Sequence, residues 1–125
     1  MDRCLLIVED DPDELDMLTC RFIQAGYQVV SVHHPRQALE AASFRQFQVA
    51  LLDASLPEMD GVELLQCLKR TQQHLRFIIL AGYPCSEPWA HVEGTFAWLV
   101  KPCNMALLEA TVEDAFEPAV DELLV

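Results

Sequence analysis

Four short apolar runs, each ending on a position that matters for chemistry, constrain this chain more than any other feature. Leu5 to Val8 leads into Glu9 and Asp10, Val49 to Leu52 into Asp53, Phe77 to Leu80 into Ala81, and Phe96 to Val100 into Lys101. Unbroken rather than alternating runs belong to strands buried on both faces, and such strands need helices on either side. The intervening segments supply them. Leu15, Leu18 and Phe22 form one helical stripe, Val62, Leu65 and Leu68 another, and Leu108, Val112, Ala115 and Phe116 a third. Strand and helix alternate, so the chain reads as a doubly wound α/β domain with right-handed crossovers between parallel neighbours. In such a sheet the ligand site lies outside the carboxyl ends of the strands. The four run ends, distant in sequence, are therefore expected to converge.

Local signals divide the chain further. Asp11 before Pro12, with Glu14 three residues on, predicts an N-cap, a first-turn proline and the reciprocal acid of a capping box. Asp60 with Glu63 repeats the device, Gly26 closes the first helix, Tyr27 to Val32 adds a strand, Pro35 opens a helix, and Asn104 caps the last one. Between Gly82 and Gly94, Pro84 and Pro88 leave room for only a short fourth helix, Glu87 to Val92. The prediction is five parallel strands with five helices, residues 1–118 as one domain and 119–125 as a tail or the start of a linker.

Composition narrows the function. At 125 residues the chain is one domain's length, and 52% hydrophobic with 22% charged residues is a globular balance. A net charge of -12 with only eight Lys and Arg argues against direct nucleic-acid binding and against an acidic membrane surface. With neither a membrane-spanning run nor a secretory signal, a cytoplasmic location is expected. Five scattered cysteines without a Cys-x-x-Cys pair suit neither a disulfide framework nor a zinc site.

Asp53 stands where an apolar strand runs out, followed by Leu56-Pro57-Glu58-Met59-Asp60-Gly61 as a turn into a helix. It is placed either as a nucleophile able to form an acyl phosphate or as a carboxylate capping a loop. Glu9 and Asp10 lie beside it if the first and third strands are neighbours. Three acids at one point repel unless protonated or bridged by a cation, and an all-oxygen donor set suits Mg²⁺. Asp10, Asp53 and the Ser55 backbone carbonyl are the expected direct ligands, with Glu9 acting through water. Alone, an acidic pair after a strand is a solvated loop, and Lys101 is a surface lysine. Together, the Lys101 ammonium at a neighbouring strand end can reach both a phosphoryl oxygen and Asp53. The Lys101-Pro102 step also suggests a cis peptide bond.

Leu6-Ile7-Val8-Glu9-Asp10-Asp11, Leu51-Leu52-Asp53 with Leu56-Pro57-Glu58-Met59-Asp60-Gly61, and Val100-Lys101-Pro102 resemble, in order and spacing, the receiver domain of two-component response regulators. The resemblance implies a flavodoxin-like sheet of order 2-1-3-4-5. It implies that Asp53 accepts a phosphoryl group from a histidine kinase or phosphotransfer protein. Asp10 and Asp53 then hold Mg²⁺ with Glu9 supporting, and Lys101 contacts the phosphoryl group. Phosphorylation would change a protein-binding surface with Trp98 as the aromatic switch position, and the output partner is left unnamed. Ser55 and Tyr83 match positions that flank the phosphoryl site. Such a domain takes part in its own phosphorylation and dephosphorylation without turning over an external substrate. Homodimerisation through the final helices stays open.

The chain departs from that family at Ala81, where members usually carry Thr or Ser to bond a phosphoryl oxygen, and Gly82 brings no hydroxyl either. A missing bond to a charged group is worth about 1.5 to 3 kcal/mol, comparable with the coupling energies of switches. This favours a second reading, a pseudo-receiver that binds partners independently of phosphorylation. A haloacid-dehalogenase-like phosphohydrolase would need a second aspartate where Ser55 stands. A flavodoxin-type cofactor site would be repelled by Glu9-Asp10-Asp11. His33, His34, His74 and His91 read as loop or surface residues, Trp89 as a possible contact residue, and Cys103 as no nucleophile.

Overall fold

The computed structural model describes residues 3–56, 59, 61–85 and 93–117. In chain order the elements are β1 (Cys4–Val8), α1 (Pro12–Gln24), β2 (Gln28–Val32), α2 (Pro35–Phe44), β3 (Val49–Asp53), α3 (Gly61–Thr71), β4 (Arg76–Ala81), β5 (Thr95–Val100) and α4 (Met105–Phe116). The strands form one parallel sheet of order β2-β1-β3-β4-β5. Four helices lie among the described residues. The expected helix from Glu87 to Val92, the Asp60 cap, Trp89 and the tail 119–125 fall outside them.

Burial on both faces holds for three of the four unbroken runs, in β1, β3 and β4, but not for the fourth, because β5 is an edge strand. β3 is buried along its whole length and β1 and β4 after their first residue, whereas the edge strands β2 and β5 are mostly half-exposed. The period of two then sorts the side chains onto two cores. Leu6, Val8, Ala50, Leu52, Phe77, Ile79 and Ala81 meet α2 and α3. Leu5, Ile7, Val49, Leu51, Ile78 and Leu80 meet α1 and α4.

Strand order reverses between β1 and β3, from which β2 departs on one side and β4 and β5 on the other. That switch point is where such sheets leave a crevice at their carboxyl ends. Register fills it. Val8 pairs with Leu52, Asp53 with Leu80 and Ala81 with Val100. Glu9 and Asp53 thus arrive at one level, with Lys101 two residues farther along on the side of β5.

The caps fix how the chain enters and leaves this end. Asp11 accepts from the backbone N–H of Asp13 at 3.0 Å and of Glu14 at 3.4 Å. The capping box, however, does not close, because the Glu14 carboxylate turns to Lys101 instead. Asn104 caps α4 as expected, accepting from Ala106 and Leu107. His34 does more than a loop histidine, since its Nδ1 accepts from the Arg36 N–H at 3.2 Å and caps α2. Gly26, at φ +99, makes the left-handed turn after α1 that a side chain would resist.

Candidate functional site

The pleat decides which side chains share the crevice. Glu9 continues the phase of Leu5 and Ile7, Asp53 that of Val49 and Leu51, and Lys101 that of Ala97 and Leu99, so all three lie toward α1 and α4. Asp53 is 6% exposed and Glu9 3%, both held by strand-end hydrogen bonds. The Ala54 N–H donates to the Leu80 carbonyl at 2.9 Å and the Glu9 N–H to the Val32 carbonyl at 3.1 Å. The Ser55 N–H donates to Asp53 Oδ1 at 3.1 Å, orienting the carboxylate.

Lys101 closes the group from β5. Its N–H donates to the Ala81 carbonyl at 2.6 Å, and its peptide bond to Pro102 is cis, as the sequence suggested. Its Nζ lies 3.4 Å from Asp53 Oδ1, 3.5 Å from Glu9 Oε1 and 3.5 Å from Glu14 Oε2. Glu14 is the site residue that sequence reasoning missed, because its spacing from Asp11 offered a sufficient helix-capping role. The available signal was its place in the first turn of a helix that begins at the site.

Burial pushes the Glu9 carboxyl up to about 9, aided by hydrogen bonds shared with Asp53 and Glu14 and by repulsion from Asp53, with Lys101 acting in opposition. Burial thus favours the neutral form of Glu9 when no cation is bound. Burial pulls the Lys101 ammonium down, but the combined field of Asp53, Glu9 and Glu14 outweighs it, and the net shift is upward. Lys101 stays charged.

The acids also fit a cation. One oxygen each of Glu9, Asp10 and Asp53 lie within 4.8 Å of one another, Asp10 at the exposed mouth and the other two buried. Glu9 Oε2 is buried without a hydrogen-bond partner. An orphaned oxygen beside two further carboxylates is the donor set of a hard divalent ion such as Mg²⁺ or Ca²⁺, which takes oxygen ligands and keeps waters.

The second group of expected residues lies on the other face. Ala81, 1% exposed, points into the core under α2 and α3. Trp98 is half-buried against the same core, and its Nε1–H donates to the Tyr83 carbonyl at 2.8 Å with the two rings 5.8 Å apart. Tyr83 and the Ser55 side chain are exposed. Burial raises the Cys103 thiol.

Comparison with known proteins agrees with this arrangement. The sequence profile of the response regulator receiver domain matches residues 5–113. The transcriptional regulatory protein GlrR of Escherichia coli K12 is 31% identical over 123 residues, covering 94% of this chain but 28% of that relative. The chain thus spans little more than a quarter of its length. A CheY-like response regulator receiver domain protein of Methanospirillum hungatei superposes with a TM-score of 0.81 at 29% identity, covering 92% of this chain and 94% of that one. A response regulator protein of Burkholderia pseudomallei, solved with a phosphorylated aspartic acid, a calcium ion and citrate, gives 0.78 at 26% identity over 89% of this chain and 66% of that one. Among the described residues no helix is long and apolar enough to cross a membrane.

Proposed function

Because this chain belongs to the response regulator receiver domain family, we propose that Asp53 is its phosphoacceptor. The donor is a phosphohistidine on a histidine kinase or phosphotransfer protein. An Asp53 oxygen attacks phosphorus, the phosphorus–nitrogen bond breaks, and the electron pair stays on the departing imidazole. Asp10, Asp53 and the Ser55 carbonyl would hold Mg²⁺ directly, with Glu9 through water, and the ion would neutralise charge gathering on the phosphoryl oxygens. The chain's own part is geometric. The Ser55 N–H fixes one Asp53 oxygen, Lys101 supplies a cation that needs no reorganisation, and the flanking cores keep the carboxylate dry. The observation that carries the reading is the Lys101 ammonium 3.4 Å from a buried strand-end carboxylate, beside an orphaned Glu9 oxygen.

The domain takes residues 1–118, works in the cytoplasm, and passes its signal through a changed protein-binding surface rather than by turning over a substrate. Ala81 supports a second reading, a pseudo-receiver that binds its partner whether or not Asp53 is modified. Incubation with Mg²⁺ and a small phosphodonor such as phosphoramidate, followed by mass, separates them. Phosphoacceptor chemistry requires an adduct that disappears in Asp53→Asn. Its absence from the native chain leaves the pseudo-receiver standing.

A further inference from the structure

We infer that Glu14 is a positioning residue that holds the Lys101 ammonium away from the incoming phosphoryl group and so restrains loading of the acceptor. The inference rests on the phosphoacceptor reading and deepens it. An ammonium has three N–H donors, and three carboxylates surround this one at 3.4 to 3.5 Å. The ammonium is thus shared among three acids, with Glu9 Oε1 in hydrogen-bond geometry, before any phosphoryl oxygen arrives.

The three partners are not equivalent. The Glu9 and Asp53 side chains are 3% and 7% exposed and fixed at strand ends, whereas Glu14, 29% exposed, comes from the first turn of α1. Glu14 and Lys101 together line the cleft of about 380 Å³ between α1 and α4, which Met17, Cys103 and Met105 continue. Glu14 thus draws the ammonium toward the flank of the site. Phosphorylation of Asp53 moves the charge to be neutralised outward, beyond the carboxylate, and Lys101 must follow it. The contact surrendered most cheaply is the half-exposed one.

Glu14 also adds a negative charge to those of Asp10 and Asp53, against which an anionic donor must approach. Neighbouring groups give no relief. Ala81 offers no hydroxyl to the phosphoryl oxygens, and Lys101 is the only lysine or arginine paired with these acids among the described residues. Any competition for Lys101 is therefore felt directly.

The test compares the full chain with Glu14→Gln, which keeps the size and removes the charge, and with Asp13→Asn. The latter removes a charge from the same exposed turn without touching Lys101. Phosphoramidate with Mg²⁺ gives the rate of adduct formation by mass, and beryllofluoride titration gives the affinity for a phosphoryl mimic. The ¹⁵N resonance of the Lys101 ammonium in metal-free protein reports the contact itself. Glu14→Gln is expected to load about two- to fivefold faster and bind beryllofluoride tighter by the same factor, the scale of one partly exposed ion pair, and to shift the Lys101 resonance. Asp13→Asn is expected to change none of these. Equal or slower loading in Glu14→Gln, an unmoved Lys101 resonance, or an equal gain from Asp13→Asn overturns the inference while the native adduct leaves the phosphoacceptor reading intact. Absence of an Asp53-dependent adduct in every variant overturns both.

Discussion

The two faces of the sheet finish differently at the same end of the molecule. On the side of α1 and α4, Glu9, Asp53 and Lys101 complete a charged group in which each residue has a partner within 3.5 Å. On the side of α2 and α3, the ends of β4 and β5 hold Ala81, a buried methyl, and Trp98, whose Nε1–H donates to the Tyr83 carbonyl. Since side chains alternate along a strand, one residue of sequence separates the faces: Val100 and Lys101 belong to opposite ones. The lesson is that the charged strand ends and the Ala81–Trp98 pair are built on different faces and can be altered separately. Backbone joins them, where the Lys101 N–H donates to the Ala81 carbonyl at 2.6 Å.

The sharpest way to break this comparison is to remove the cation. Lys101→Met keeps the aliphatic stem and deletes the charge. We expect it to slow loading of Asp53 by phosphoramidate by about 10²-fold or more, the usual cost of losing one preorganised charge partner. The Trp98–Tyr83 contact should persist, because it involves no atom of that side chain. Mass measures the first effect and tryptophan emission the second. If Lys101→Met loads normally, the α1 and α4 face is not the chemical one.

A smaller effect is expected from supplying what the other face lacks. Ala81→Thr places a hydroxyl at the end of β4. A hydrogen bond to a charged group contributes about 1.5 to 3 kcal/mol, so beryllofluoride should bind roughly tenfold tighter or better, with a tryptophan emission change larger than in the native chain. Ala81 is buried, and the added atoms will cost some stability, of order 1 kcal/mol, visible as a lower urea midpoint. Tighter binding without a larger emission change would show that Trp98 does not report on the strand end. Unchanged binding would show that the missing hydroxyl is not what distinguishes the faces.

How much of this was legible in the sequence follows from the kind of interaction involved. Continuous apolar runs announce strands buried on both faces, and β1, β3 and β4 are so buried. Strand-end chemistry was legible for the same reason: a charged residue closing an apolar run has nowhere to be but the rim. Glu14 was not, since a first-turn acid has two stabilising destinations, the N-cap and a neighbouring cation, and only the fold shows that Lys101 stands within reach. His34 stands in the loop before α2 as expected, but its capping role was equally hidden. A histidine at a helix start carries no pattern that separates a cap from a surface residue, and its Nδ1 contact with the Arg36 N–H is purely local geometry.

The smallest expected effect concerns protons on the chemical face. In the metal-free chain the Glu9 carboxyl is pushed up to about 9 from 4.5, first by burial and then by its neighbours. Between those values the folded chain holds a proton that the unfolded chain has released, so stability falls as pH rises through that window. The slope cannot exceed about 1.4 kcal/mol per pH unit, the limit for one proton. The other groups with resolved shifts, Cys103, Tyr27 and Lys101, start from 9.0, 10.0 and 10.5 and move upward, so their titrations lie above the window. Urea melts with a chelator at pH 5, 7 and 9 should therefore show the native chain losing stability relative to Glu9→Gln as pH rises. A divalent cation selects the deprotonated carboxylate, so added Mg²⁺ should flatten the native slope and leave that of Glu9→Gln nearly unchanged. Parallel curves for the two proteins would mean that Glu9 is ionised without a cation.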